Sequence, residues 1–230
     1  MTAARPRRIF VAGSTGATGR ALMPMALALG VDVIPHLRPA TAAGRSLPEQ
    51  AAVFALDDAA ALDAALESCT TVIQLIGTMR KRFSSGDTYE SSDIATTRLL
   101  AEAARRGAVD HFVLLSSVGA GRPRGSYLQA KARAEQIVAE SGIDATVLRP
   151  SSFDGEGHRP PPGMAFVTHL FGMDRFHPIA IEDLARTLLY LAFSGAARGC
   201  VLEGSSLWQQ VAEANSFSAW PLSAPSVAKQ

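Results

Sequence analysis

The stretch Arg8-Ile-Phe-Val-Ala-Gly13-Ser-Thr-Gly16-Ala-Thr-Gly19-Arg20 constrains this chain more than any other, because an apolar strand signal runs directly into glycines spaced three apart and then into a helix signal. Gly13 permits a tight turn, Gly16 lets backbone approach an anion without a Cβ in the way, and Gly19 lets the helix pack close to the strand. The helix N-terminus then offers free N–H donors and the positive end of its dipole. The segment therefore predicts a nucleotide-phosphate cradle, and the alternative is an ordinary glycine-rich turn between strand and helix.

Strand and helix signals alternate along most of the sequence. Apolar strands are predicted at 9–12, 31–37, 53–56, 71–76, 111–115 and 145–148. Helices are predicted at 17–29, with Pro24 kinking or shortening it, at 59–67 behind the capping pair Asp57 and Asp58, at 92–106 up to a C-cap at Gly107, and at 127–140. Beyond Pro150 the pattern loosens into the Pro160-Pro161-Pro162 loop. There the signals are a short apolar helix at 164–171, a strand at 176–181, an Asp-capped helix at 183–193, a strand at 199–202 and a helix at 206–213. Short apolar strands in strict alternation with helices predict an α/β fold, a doubly wound parallel sheet whose ligands bind at the carboxyl ends of the strands. A single domain covers 1–215, substrate-side insertions fall at about 151–180, and a flexible tail follows at 216–230.

Lys and Arg number 22 against 21 Asp and Glu, a net charge of +1, so no global field favours nucleic acid or an anionic membrane. No apolar run reaches membrane-spanning length, and the expected location is the cytoplasm. Cys69 and Cys200 fit neither a metal spacing nor a disulfide framework, and both read as small buried apolar residues in a reducing compartment. His158, His169 and His177 are irregularly spaced with no carboxylate cluster, so no metal is expected.

A second constellation joins Ser116-Ser117 at the end of a strand to Tyr127-Leu-Gln-Ala-Lys131 at the start of the next helix. Tyr127 and Lys131 share a helical face, where an ammonium stabilises a phenolate. A Ser117 hydroxyl at the adjacent strand end can hydrogen-bond a substrate carbonyl, and Tyr127 then serves as general acid or base. The alternative makes Tyr127 a packing aromatic and Lys131 a solvated or ribose-contacting residue.

Five blocks together resemble the short-chain dehydrogenase/reductase superfamily, and more narrowly its atypical NmrA-like and complex-I-39-kDa-subunit-like members. They are Gly13–Arg20, Asp93-Ile-Ala-Thr-Thr-Arg-Leu-Leu-Ala-Glu-Ala-Ala104, His111-Phe-Val-Leu-Leu-Ser-Ser-Val-Gly119, Tyr127–Glu135 and Val147-Leu-Arg-Pro-Ser151. The likeness covers about 7–215 and implies a Rossmann fold with a small C-terminal region over the substrate. It implies a nicotinamide cofactor with Ser14, Thr15, Ala17 and Thr18 at the phosphates, Lys131 on the nicotinamide ribose, and Pro150 to Phe153 near the ring. Leu56 falls where family members touch the adenine, with Asp57 and Asp58 one and two places later. Asp93 falls where related reductases carry an asparagine of the proton relay; a helix N-cap is the reading preferred for it.

The end of the second predicted strand selects the cofactor. A carboxylate there serves a ribose 2′-hydroxyl, whereas an arginine accommodates a 2′-phosphate. This chain has Leu37-Arg38-Pro39 with no acid nearby, which favours NADP(H) over NAD(H), although a solvated loop cation is the alternative for Arg38. Arg80, Lys81 and Arg82 form the one dense basic run, in a loop at 77–88 expected to cover part of the cleft. Met164, Phe166, Leu170 and Phe171 suggest an apolar lid, or the packing of a short helix.

The expectation is an oxidoreductase, monomer or homodimer, that exchanges hydride with a small carbonyl or alcohol substrate. The competing expectation is a non-catalytic NADPH-binding redox sensor or assembly factor. A nucleotide-sugar epimerase or dehydratase is disfavoured by the short C-terminal portion.

Overall fold

Strand β1 (Arg8–Ala12) lies near the middle of a seven-stranded parallel sheet, and four of its five residues are buried. The computed structural model describes residues 7–77, 88–155 and 157–221. The other strands are β2 (Asp32–Leu37), β3 (Ala52–Val53), β4 (Thr71–Gln74), β5 (His111–Leu115), β6 (Ala145–Leu148) and β9 (Val201–Leu202). Their order across the sheet is β3-β2-β1-β4-β5-β6-β9. The chain winds outward from β1 in one direction and from β4 in the other, so a crevice is expected between the carboxyl ends of β1 and β4. A parallel pair, β7 (Phe153–Asp154) and β8 (Ile179–Ala180), forms a separate two-stranded sheet.

Alternation along the strands divides the core into two layers. Ile9 and Val11 point to a cluster built with α1 (Ala17–Ala28), α7 (Ile181–Ser194) and α8 (Ser205–Ser216), including Leu22, Leu184, Leu188, Leu207 and Val211. Phe10 and Ala12 point to the other face and meet α3 (Ala59–Leu66), α4 (Thr96–Arg106) and α5 (Gly125–Glu140) through Leu62, Leu66, Leu100 and Ile137. The Rossmann-type sheet with helices on both faces agrees with the fold expected from the sequence.

Several boundaries differ. Pro24 sits exposed inside α1 without ending it. The third strand is two residues long and leaves Leu56 outside it, buried in the core. Asp58 caps α3 by accepting from the Ala61 N–H at 3.0 Å. The strand expected at 176–181 reduces to β8, behind a 3-10 turn at Asp174–Phe176, and Asp183 lies in the first turn of α7 instead of capping it. Short helices form at α2 (Pro39–Ala42) and α6 (Met164–Leu170).

The flexible tail expected from residue 216 is corrected for its first part. Trp220 is buried, and its ring meets Phe193 and Phe217 at 5.6 and 4.8 Å, because three aromatic side chains close the outer end of the α7–α8 layer. Residues 222–230 lie outside the described residues. Cys69 is buried as expected, but Cys200 is exposed, since it precedes the edge strand β9. No helix among the described residues is long and apolar enough to cross a membrane.

Candidate functional site

The glycine loop has the shape that a bound phosphate requires. Gly13 takes φ +92°, and Gly16 precedes α1 in extended conformation. A Cβ on Gly19 would stand 2.5 Å from the carbonyl oxygens of Gly13 and Ser14, so only glycine lets the helix pass this close to the loop. Helix α1 has no side-chain cap and no acidic residue in its first turn, leaving its N-terminal donors and dipole to an incoming anion. The Arg20 guanidinium donates to the Thr15 carbonyl at 2.9 Å and braces the loop from outside.

Ser14 and Thr18 are buried, while Thr15, Gly16 and Ala17 are half-buried. The Ser14 hydroxyl donates to the His36 carbonyl at 2.7 Å, which ties the loop to the end of β2. The His36 ring lies tilted against Phe10 and Phe54, with Nε2 2.9 Å from the Phe54 carbonyl oxygen. Burial, with help from the Arg38 charge, pushes the His36 imidazole below its usual value. Arg38 itself is exposed two residues on, at the residue that opens α2. The cradle, the end of β2 and Arg38 thus form one continuous edge.

The other half of the site is assembled by α5. Lys131 is 7% exposed, donates to the Leu115 carbonyl at 3.3 Å at the end of β5, and lies 2.8 Å from Asp93 Oδ1. Tyr127, one turn earlier and half-buried, has its ring centre 6.0 Å from the Lys131 ammonium and 5.7 Å from the Tyr89 ring. Ser117 is half-buried in the turn after β5. Its neighbour Ser116 is buried and donates to Glu135, so Ser116 is engaged in structure.

Gly77 connects the halves. A Cβ at Gly77 would stand 2.8 Å from the Lys131 ammonium and 3.1 Å from Asp93 Oδ1, and one at Gly13 would stand 3.0 Å from the Ile76 nitrogen. The cradle, the segment after β4 and the Lys131 ion pair are therefore consecutive neighbours at the carboxyl ends of β1, β4 and β5. The fit to a nicotinamide dinucleotide rests on this run: a phosphate cradle at one end, a buried cation at the other.

Asp93 corrects the sequence expectation of a helix N-cap. It lies within a π-helical segment, Glu90–Ala95, that continues into α4, and it is 2% exposed. Gln74 anchors this segment from β4: its side-chain oxygen accepts from the Ile76 N–H at 2.9 Å, and its Nε2 donates to Thr96 and Thr97 at 3.3 Å each. Thr97 donates in turn to the Asp93 carbonyl at 2.6 Å. Gln74 and Gly77 were missed by motif reasoning, yet a glutamine inside an apolar strand is a readable signal, since a fully buried amide must find partners.

Pro150 is buried and Phe153 half-buried, in the segment that leads from β6 into β7. Beside it, Arg149 meets Glu135 and Glu203. The α6 segment differs from the packed-helix expectation: Phe166, Leu170 and Phe171 are 70, 63 and 70% exposed. His177 contacts Thr168 and Trp208, and the described residues contain no group of three or more metal-ligating side chains. Arg80, Lys81 and Arg82 lie outside the described residues. Two cavities, of about 370 and 600 Å³, lie elsewhere, one at 172–176 with 203–205 and one along the α5 face bearing Ala132, Glu135 and Ala139. Neither is lined by a candidate site residue, so the site rests on the contacts that join Gly13, Gly77, Asp93 and Lys131.

The profile of a family described as NAD(P)H-binding matches residues 13–194. The chain is 28% identical over 175 residues to the chloroplast protein TIC 62 of Pisum sativum, covering 64% of this chain and a smaller share, 33%, of that protein. It therefore spans about a third of that relative's length. A short-chain dehydrogenase/reductase superfamily protein from Agrobacterium tumefaciens with bound NAD superposes with a TM-score of 0.66 at 20% identity, covering 86% of this chain and 77% of that one. The oxidoreductase ylbE from Lactococcus lactis gives 0.64 at 19% identity, covering 90 and 95%.

Proposed function

Because the chain belongs to this NAD(P)H-binding family and has the short-chain dehydrogenase/reductase fold, we propose that it is an oxidoreductase that uses NADP(H) on a small carbonyl or alcohol. The observation that carries the reading is Lys131: a buried ammonium on the same helical face as Tyr127, held to the end of β5 and facing Gly77 across the crevice from the glycine cradle.

In this reading the first-turn backbone of α1, with Gly13, Ser14, Thr15, Gly16, Ala17, Thr18 and Gly19, holds the pyrophosphate. Arg38 meets the 2′-phosphate, Leu56 borders the adenine, Lys131 holds the nicotinamide ribose, and Pro150 and Phe153 flank the ring. The nicotinamide, when bound, supplies or accepts the hydride. Ser117 Oγ donates to the substrate oxygen and orients it, and Tyr127 Oη gives that oxygen its proton in reduction or takes it in oxidation. The preference for NADP(H) is supported by Arg38 and by the lack of an acid at the end of β2. The NAD in the Agrobacterium structure weighs on the other side.

Parallel calorimetric titrations with NADPH and NADH test the cofactor. Tighter NADPH binding that falls to the NADH level in Arg38→Ala supports the reading, and equal binding of both by the unaltered protein removes the NADP preference. A screen of small carbonyl compounds then tests catalysis, with Tyr127→Phe expected to abolish turnover of any compound accepted. Turnover unchanged in that variant would overturn the assignment of Tyr127.

A second reading, a non-catalytic NADPH-binding sensor, is favoured by the exposed apolar side chains of Phe166, Leu170 and Phe171, gathered on one short segment as protein-contacting surfaces are. It predicts NADPH binding without turnover and an affinity for a protein partner that changes with the cofactor's redox state.

A further inference from the structure

We infer that Glu135 is a positioning residue: its carboxylate fastens the turn after β5 and the turn after β6 to α5, and so sets where Ser117 and the ring-flanking Pro150 stand relative to Tyr127 and Lys131. The inference deepens the reading above and rests on it for the roles of those four residues.

The groups named for the reaction come from separate pieces of chain. Tyr127 and Lys131 lie on α5, Ser117 in the turn after β5, and Pro150 in the segment after β6. The two strand-end turns are bonded to each other, since the Ser116 N–H donates to the Leu148 carbonyl at 2.7 Å and the Val118 N–H donates to the Pro150 carbonyl at 2.9 Å. Ser117 therefore sits between two backbone bonds to the β6 side, and the turns form one ribbon. The helix beside that ribbon packs on the sheet through Ile137 and its apolar neighbours. Apolar packing is non-directional, so it holds a helix close to a sheet without fixing its register along the strands.

Glu135 supplies the direction. It stands one turn after Lys131 and two after Tyr127 on α5, with its side chain 11% exposed. Oε1 accepts from Ser116 Oγ, and also from Arg149 Nε at 2.9 Å, while Oε2 accepts from Arg149 Nη2. A single carboxylate thus holds both the residue before Ser117 and the residue before Pro150. A two-point guanidinium grip fixes orientation as well as distance. Gly121 leaves the guanidinium its room, because a Cβ there would stand 2.6 Å from Arg149 Nη1.

The ends of the site respond differently to loss of this carboxylate. Lys131 has its own anchors, the Leu115 carbonyl at 3.3 Å and Asp93 Oδ1 at 2.8 Å, so the group assigned to the ribose stays in place. The Ser117–Pro150 ribbon loses its fastening to the helix, so the ring end loosens. Arg149 keeps Glu203 at 3.3 Å, and the guanidinium is not stranded without a carboxylate.

Calorimetry on the full chain tests this without a substrate. The ligands are NADPH and NADH, and the same two molecules lacking the nicotinamide, ADP-ribose 2′-phosphate and ADP-ribose. In Glu135→Gln, affinity for the preferred reduced cofactor should fall about tenfold while affinity for its nicotinamide-free counterpart is kept. Arg149→Lys leaves a cation between Glu135 and Glu203 but cannot grip at two points, and it should give the same split. The double variant should bind no more weakly than either single one, because both changes undo one fastening. A merely structural role would weaken the cofactor and its nicotinamide-free counterpart together, and that result would overturn the inference. Unchanged affinities, or losses that multiply in the double variant, would overturn it as well. Failure of the cofactor reading itself is told apart in the unaltered protein, which would then bind none of these ligands, and the inference would fall with it.

Discussion

The Arg149 guanidinium grips the Glu135 carboxylate at two points, Nε to Oε1 at 2.9 Å and Nη2 to Oε2, and so fastens the end of β6 to the middle of α5. Its remaining nitrogen reaches Glu203 at 3.3 Å, and Glu203 also meets Arg175. Hydrogen bonding to Glu135 raises the already high Arg149 value, followed in effect by the opposing cost of burial. Arg149→Met should therefore cost about 3 kcal/mol, because two carboxylates that are 11 and 17% exposed lose their shared cation. Arg8→Ala, which breaks a pair more than 40% exposed on both sides, should cost less than about 1 kcal/mol. Urea denaturation of the two variants measures the contrast, and equal losses would show that burial does not set the value of these pairs.

The cradle glycines should separate under mutation. Gly19→Ala drives a Cβ to 2.5 Å from two backbone carbonyl oxygens that have no side chain to move aside. It should cost about 1–3 kcal/mol and weaken cofactor binding as the loop shifts. Gly16→Ala places its Cβ 3.4 Å from one backbone oxygen, ordinary contact. Its stability should stay within about 1 kcal/mol of the unaltered protein, while cofactor affinity should fall, because Gly16 lies in the loop assigned to the pyrophosphate. Equal stability losses in the two variants would contradict the distinct roles given to these glycines.

Gln74→Leu tests the clamp behind the π-helical segment. It removes the acceptor of the Ile76 N–H and the donor to Thr96 and Thr97, all at or near the buried end of β4. Unpartnered polar groups there should cost about 1–3 kcal/mol. The amide protons of Asp93 and Thr97 should exchange faster with solvent than those of the α5 interior. Unchanged exchange would mean that the π-helical turn holds itself.

The sheet, the cradle and the Tyr127–Lys131 face were legible because each depends on local pattern: strand apolarity, glycine spacing and four-residue helical spacing. Gly19 shows where such reasoning stops short: the close approach expected toward the strand is made to the loop carbonyls of Gly13 and Ser14. What pattern could not give were pairings between distant elements. Asp93 read as a cap because Asp before an apolar helix usually is one, whereas its carboxylate is taken by Lys131, 38 positions on. Arg149 and Glu203 are ordinary charged residues in sequence, and only the adjacency of β6 and β9 makes them partners. Trp220 lay beyond the last periodic signal, and its burial depends on a slot formed jointly by α7 and α8.

His111 should make the fold sensitive to acid. Its Nε2 donates to Thr146 Oγ1 at 2.8 Å, because that hydroxyl spends its own hydrogen on the Ala197 carbonyl at 2.9 Å. The bare Nδ1 is buried with no hydrogen-bond partner among the described residues. Burial, with a smaller contribution from Arg198 and against a pull from Asp144, pushes the imidazole down to about 4. Above about pH 6.5 the ring is neutral in both folded and unfolded chains and contributes no pH dependence. As pH falls from 6.5 toward 4, the unfolded chain takes up the proton first, so folding loses free energy, on the order of 3 kcal/mol in all. The lowered His36 acts in the same direction, so the comparison is made with His111→Gln, which keeps a donor for Thr146. Urea midpoints between pH 7.5 and 4.5 should fall more steeply in the unaltered protein than in His111→Gln, and parallel profiles would mean that the folded protein accepts the proton at His111 without penalty.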